Sequence, residues 1–186
     1  MNRFFQADDD VSAFFSAKAA DLLPFLARLI FALVLAGYFW SSALTKFDGP
    51  FSPSVGAYAQ IFPRAFETAN YNPQAFGLWP WAVVMAGAYA ELVLPLLLIF
   101  GLLTRIASLG MIGFIVVQSL TDIVGHGADA ATIGRWFDRV PDALILDQRA
   151  LWMGLLAVTL IHGGGRISID AELRKWRSTW RKPASN

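Results

Sequence analysis

The sequence predicts an all-α membrane protein: a polytopic four-helix bundle with interfacial amphipathic helices at the N-terminus, in the first outer loop and in the C-terminal tail. Three observations lead there. Hydrophobic residues make up 56% of the 186 residues and charged residues only 16%, where a soluble domain carries about 25% charge. Apolar runs recur along the chain at lengths close to the roughly 20 residues that cross a bilayer core. Trp79 and Trp81 stand at the start of one of them, where amphipathic rings sit at the headgroup level.

The elements follow in order. In residues 1–21, Asp8, Asp9 and Asp10 precede Val11, Phe14, Phe15 and Ala19. This reads as a surface helix with acids at its positive end, or as a polar tail. It is not a secretory signal, because acids outnumber Arg3 and Lys18 and the following run is too long for a cleavable core. The transmembrane domain covers residues 22–165. Its first span is residues 22–44, with Pro24 in the first turn, where proline is tolerated. Lys46 and Asp48 close the run. A long loop follows, broken by Pro50, Pro53, Pro63 and Pro73, with residues 55–66 expected as a short interfacial helix. The second span is residues 80–103, a tight turn at Thr104 and Arg105 leads into the third, residues 106–124, and a second polar loop precedes the fourth, residues 142–163. The fourth is long enough only with Asp147 and Arg149 in the headgroup zone. Residues 166–186 form a basic tail in which Ile169, Leu173, Trp176 and Trp180 recur at helical spacing. It reads either as a simple surface anchor or as a docking helix for anionic lipid or a partner.

Positive charge sets the orientation. With both termini in the cytoplasm, the inner segments hold Arg3, Lys18, Arg105 and six basic residues of the tail, and the outer ones Lys46, Arg64, Arg135, Arg139 and Arg149. The bias places both termini inside, in a bacterial-type inner membrane.

Composition narrows the function. A net charge of +1 without a basic cluster argues against a nucleic-acid partner. The absence of cysteine excludes disulfides, dithiol redox chemistry and thiolate metal sites within this chain. His126 and His162 lack metal-ligand spacing, so no metal is expected. No nucleophile elbow, phosphate loop, dinucleotide fingerprint or haem attachment site is present, which leaves no self-contained catalytic motif and makes the chain at most a subunit of an oxidoreductase.

The informative residues are those that do not belong in lipid. Arg28 lies in the first span and Glu91 in the second, and a charge at bilayer depth costs about 2.5–3.5 kcal/mol or more unless it faces the bundle interior and finds a partner. Helix rise puts the two at similar depth, so the sequence predicts a buried Arg28–Glu91 ion pair, either fixing helix register or forming a charged spot beside a headgroup, quinone or proton path. Ala82, Ala86 and Ala90 on the second span, and Gly37 and Ser41 on the first, read as stripes for close helix packing. Gln118, Asp122 and His126 gather at the outer end of the third span; Asp122 and His126 are four apart and share a face if the helix continues. They read as a helix-end hydrogen-bonded group or as a metal or proton-transfer site. His162, before three glycines, reads as a polar helix end.

The stretch from Glu91 to Met111, ELVLPLLLIFGLLTRIASLGM, together with the arginine helix of Arg28 ending in Lys46–Phe47 and the close GGGRISID from Gly163 to Asp170, resembles the DoxX family. The resemblance implies a four-helix membrane fold and marks Arg28, Lys46, Glu91, Thr104, Arg105, Arg166 and Asp170 as motif positions. It also implies an accessory role in a membrane redox system linked to quinones or sulfur, with a membrane or peripheral redox protein as the partner besides the lipid bilayer; the residues make no cofactor evident, and quinone is the one candidate. A non-enzymatic membrane scaffold, a small-solute carrier and a helper for maturation or export of a metal-binding peptide are the alternatives. Lacking cysteine, the chain does not itself exchange thiols, and its first outer loop is longer than such a fold needs.

Overall fold

The computed structural model describes residues 2–180 and is built almost entirely of helices. They are α1 (Asn2–Val34), α2 (Ala36–Leu44), α3 (Val55–Ile61), α4 (Pro63–Thr68), α5 (Leu78–Phe100), α6 (Thr104–Leu120), α7 (Ala130–Ile133), α8 (Arg149–His162) and α9 (Ile169–Trp180). A small antiparallel ribbon, β1 (Phe47–Gly49) with β2 (Ser52–Pro53), joins α2 to α3.

Three helical segments are long and apolar enough to cross a bilayer: Leu78–Phe100, Thr104–Gly125 and Leu144–His162. At about 1.5 Å per residue each covers close to 30 Å, the thickness of a hydrocarbon core. A fourth candidate is not straight. Asp21–Val34 and Ala36–Leu44 meet at a bend of 44°, two residues before Gly37, whose lack of a side chain lowers the cost of leaving ideal helix. The large apolar side chains that point outward along these segments include Leu33, Ile106, Val117 and Leu151. In water such a surface would be an aggregation liability; against acyl chains it is the expected exterior.

Several boundaries differ from those the sequence suggested. Residues 2–21 are not a separate surface helix but the start of α1, which runs without a break to Val34. Pro24 is therefore inside a helix rather than in its first turn. Most of the side chains on which the amphipathic reading of this segment rested lie outside the described residues, as do Arg181 and Lys182 of the tail. The expected helix over residues 55–66 is two helices, because Pro63 supplies no N–H to continue α3 and instead starts α4. Thr104 and Arg105 are the first residues of α6; the turn itself is Gly101–Leu103, with Gly101 and Leu103 both left-handed (φ +66° and +49°). The third and fourth segments each contain a wide π-type turn on their loop side, Thr121–Gly125 and Leu144–Gln148.

Helix neighbours form a ring: α1 and α2 against α5, α5 against α6, α6 against α8, and α8 back against α1. Its centre is filled by Phe31, Leu35, Phe39, Leu98, Met111, Ile115 and Leu156. A second, aromatic cluster of Tyr58, Phe66 and Phe76 seats α3 and α4 on the first half of α5 around Val84. Ser54 starts α3 by accepting a hydrogen bond from the Ala57 N–H while its hydroxyl donates to the Thr45 carbonyl, so the long loop is clamped to the end of α2.

Candidate functional site

The motif residues separate into two groups at different depths, and Arg28 and Glu91 fall on opposite sides of that division. Arg28 donates from Nε to the Leu98 carbonyl (2.8 Å), from Nη2 to Ile99 (2.6 Å), and from Nη1 to Gly164 (2.7 Å) and Ile167 (2.6 Å). Leu98 and Ile99 are among the last residues of α5, whose terminal carbonyls lack α-helical partners and carry its negative dipole end, the Leu98 carbonyl keeping only a 3.1 Å bond from the Gly101 N–H. The expected ion pair with Glu91 does not form. Glu91 lies seven residues before Leu98, about 10 Å along the helix, and the carbonyls at the end of α5 satisfy the guanidinium first.

The same end holds Asp170, whose carboxylate accepts from the Leu103 N–H (2.8 Å), the Thr104 N–H (2.9 Å) and the Thr104 hydroxyl (2.7 Å), capping α6 from a distant part of the chain. Burial works to raise the Asp170 carboxyl, but the hydrogen bonds from Thr104 and Leu103 and the nearby charge of Arg174 outweigh it and hold it below its ordinary value. Gly101 and Gly164 are required here. A Cβ on Gly101 would lie 2.6 Å from Ser168 Cβ and 2.7 Å from Arg28 Cζ, and one on Gly164 would lie 2.7 Å from both Ser168 Cβ and Thr104 Oγ1. Arg105 and Arg166 are peripheral: Arg105 donates to the Ile161 carbonyl (3.0 Å) and Arg166 pairs with Asp21 (2.8 Å), both at the surface. His162 hydrogen-bonds the Val158 carbonyl of its own helix (3.0 Å).

Glu91 pairs with Lys46 instead. Lys46 Nζ donates to both carboxylate oxygens, at 2.8 and 3.0 Å, and to the Ser42 hydroxyl at 2.7 Å, while that hydroxyl lies 3.3 Å from Glu91. The two side chains are 5% and 3% exposed. The bend at Leu35 makes this contact. It lays α2 across α5, so that Trp40 donates to the Leu92 carbonyl (3.3 Å) and Lys46, just past the helix end, returns to the same level.

Beside this pair is a half-open cavity of about 520 Å³ between α5 and α6, covered at one end by Gln60 and Ile61 of α3. Ala86, Gly87 and Ala90 form its α5 wall and Gly110 and Gly113 much of its α6 wall. This revises the reading of the small-residue stripe. Ala86 is exposed rather than packed, as are Gly37 and Ser41 on the first span; the missing side chains on α5 and α6 make room.

Gln118, Asp122 and His126 all line the cavity, but not as one bonded group. Gln118 Nε2 donates to the Tyr38 hydroxyl (2.8 Å), His126 Nε2 contacts the Gln60 carbonyl (2.9 Å), and Asp122 accepts from Arg149 Nη2 (2.6 Å). The wide turn at Thr121–Gly125 replaces the regular helix that a shared Asp122–His126 face assumed. Arg149 is 1% exposed and reaches across to Ser119 and Asp122 on the third segment. Among the described residues no three of His, Cys, Asp and Glu are grouped as metal ligands. The cavity thus has apolar walls, two internally neutralised ion pairs at its edges and several polar atoms between them. Such a lining suits an uncharged molecule with hydrogen-bonding groups at one end.

Sequence reasoning missed the Lys46–Glu91 and Arg149–Asp122 pairs. The available signal was charge balance: besides Arg28, the apolar runs and their ends carry Lys46, Glu91, Asp122 and Arg149, two of each sign.

A family model described as DoxX matches residues 23–122, more than half of the chain. It covers Arg28, Lys46, Glu91, Thr104 and Arg105, and ends before the segment that carries Arg166 and Asp170. No curated protein matches, and no solved structure matches.

Proposed function

Because the chain belongs to the DoxX family, we propose that it is a four-span membrane protein whose cavity receives the headgroup of a lipid-dissolved quinone, as an accessory subunit of a redox system. One observation carries the reading: a cavity of about 520 Å³ in the apolar part of the bundle with the Lys46–Glu91 pair at its edge. A neutral ring with carbonyl or hydroxyl oxygens fits such a lining, because it needs hydrogen-bond partners without adding charge. The Gln118 amide has one N–H and its oxygen to spare, and Glu91, Asp122 and His126 offer sites that exchange a proton with a reduced or oxidised ring. Electrons come from a partner redox protein.

The bent α1–α2 pair counts as the first of the four spans. Both termini are on the cytoplasmic side of a bacterial-type inner membrane, with the tail helix at its surface. Withdrawing Lys46 and Arg149 into buried pairs leaves Arg64, Arg135 and Arg139 as the basic residues of the outer loops, which sharpens the charge bias behind this orientation.

The experiment is a titration of purified protein in detergent with a short-chain benzoquinone, followed by quinone reduction in the presence of the native membrane partner. Glu91→Gln, with its melting temperature checked in parallel, is expected to abolish reduction and weaken binding. Unchanged binding and turnover in a folded Glu91→Gln protein would refute the reading. A small-solute carrier is the second reading, favoured by the broken first span, since discontinuous helices form substrate sites near mid-membrane in many transporters. Solute uptake by proteoliposomes without any quinone binding would select it.

A further inference from the structure

We infer that the groove between α9, the last turn of α5 and Arg28 of α1 is a binding site for one anionic phospholipid. The inference rests on the membrane reading above but not on the quinone site. The groove is open, about 680 Å³, and has Arg28 and Arg166 on it together with Phe100, Ile167, Leu173 and Trp176. The last four are exposed apolar side chains, arranged beside the two arginines as an acyl chain lies beside its phosphate.

The charge at this site points to an anion. Arg28 is 7% exposed, and its four hydrogen bonds all go to backbone carbonyls. No carboxylate among the described residues forms an ion pair with it, since Glu91 belongs to Lys46 and both oxygens of Asp170 are taken by the start of α6. The end of α5 contributes about half a negative charge and Asp170 acts on the guanidinium through space, but no anion bonds it directly. Of its five N–H donors, one on Nη2 has no partner. Of the charged side chains on the rim, Glu172 is held by Lys175 at 2.6 Å and Arg166 by Asp21 at 2.8 Å, both pairs at the surface, where water screens them and a phosphate can share the exposed arginine. A phosphodiester fits this charge and donor set, and its chains continue along Leu173 and Trp176. A zwitterionic lipid brings its own cation to the same place and loses the advantage.

The test is lipid retention by the full-length protein in detergent, read by native mass spectrometry. The probes are phosphatidylglycerol and phosphatidylcholine with the same acyl chains, and inorganic phosphate alone. Phosphatidylglycerol is expected to be retained preferentially. Arg166→Gln should weaken it about fivefold, the worth of one arginine at an anionic surface, and Leu173→Glu should weaken it at least as much. Both positions are at the surface, so the variants should melt as the unaltered protein does. Glu91→Gln should leave lipid retention unchanged, which separates this site from the cavity. Equal retention of the two lipids, insensitivity to both groove variants, or displacement of phosphatidylglycerol by inorganic phosphate would overturn the inference.

Discussion

Removing one partner of the Lys46–Glu91 pair should be far more damaging than removing both. The two side chains are almost fully buried, bonded at 2.8 and 3.0 Å, with the Ser42 hydroxyl as their further side-chain partner. Lys46→Met leaves a carboxylate facing apolar walls and a half-open cavity; Glu91→Met leaves an ammonium there. Breaking a buried pair in this way costs about 3–5 kcal/mol, whereas replacing both charges with apolar groups of similar volume is often neutral. If the two losses were independent, the double variant would lose about 6–10 kcal/mol, the sum of two such penalties. If the groups answer each other, Lys46→Met/Glu91→Met should be no worse than either single variant, a coupling of about 3 kcal/mol or more. Equilibrium unfolding in mixed micelles, read by far-ultraviolet circular dichroism, measures all four proteins. Additive losses, or single variants within about 0.5 kcal/mol of the parent, the usual range for uninvolved surface positions, would refute the pairing.

Two further perturbations address the other end of the bundle. The Asp170 carboxyl is held below its ordinary value by its bonds to the start of α6, so it contributes stability that is fully present above the unfolded carboxyl value of about 3.9 and is lost as pH falls through the lower folded value. The melting-temperature gap between the parent and Asp170→Asn should therefore be constant above about pH 5, where an unfolded aspartate is ionised, and narrow below it; a gap that widened on acidification would contradict this. Gly101→Ala combines a left-handed backbone with a Cβ placed 2.6 Å from Ser168 and 2.7 Å from Arg28, and should cost more than the roughly 1 kcal/mol of left-handed strain alone. An alanine variant that melts with the parent would show that the turn is not clamped as described.

Much of the architecture was legible because bilayer physics is simple: apolar length reports crossing segments, and Leu78–Phe100, Thr104–Gly125 and Leu144–His162 fall within a few residues of the expected spans. What could not be read was direction within a segment. The 44° bend at Leu35 has no proline to announce it, yet it decides that Lys46, apparently beyond the first span, comes back to Glu91. Helix rise alone therefore paired Glu91 with the wrong cation. Arg28 was correctly marked as a residue that must turn inward, but backbone carbonyls leave no sequence signature, so its partners were invisible. Small residues were equally ambiguous. Ala86, Ala90, Gly110 and Gly113 would look the same in sequence whether two helices close over them or leave a cavity, and only the structure shows the space. Among the candidate site residues, Gln118, Asp122 and His126 were marked by their clustering and line one cavity, but their partners Tyr38, Gln60 and Arg149 come from distant parts of the chain and could not be read.

The question of what occupies the cavity beside Glu91 is answered most directly by an experimental density map of the protein in a lipid nanodisc loaded with a short-chain benzoquinone. The expected result is a ring-shaped feature between α5 and α6, with an oxygen at hydrogen-bond distance from the Gln118 amide and the side chain of the ring leading out past Ala86 and Gly113. A cavity collapsed by inward movement of α3, or one empty at saturating quinone, would contradict it.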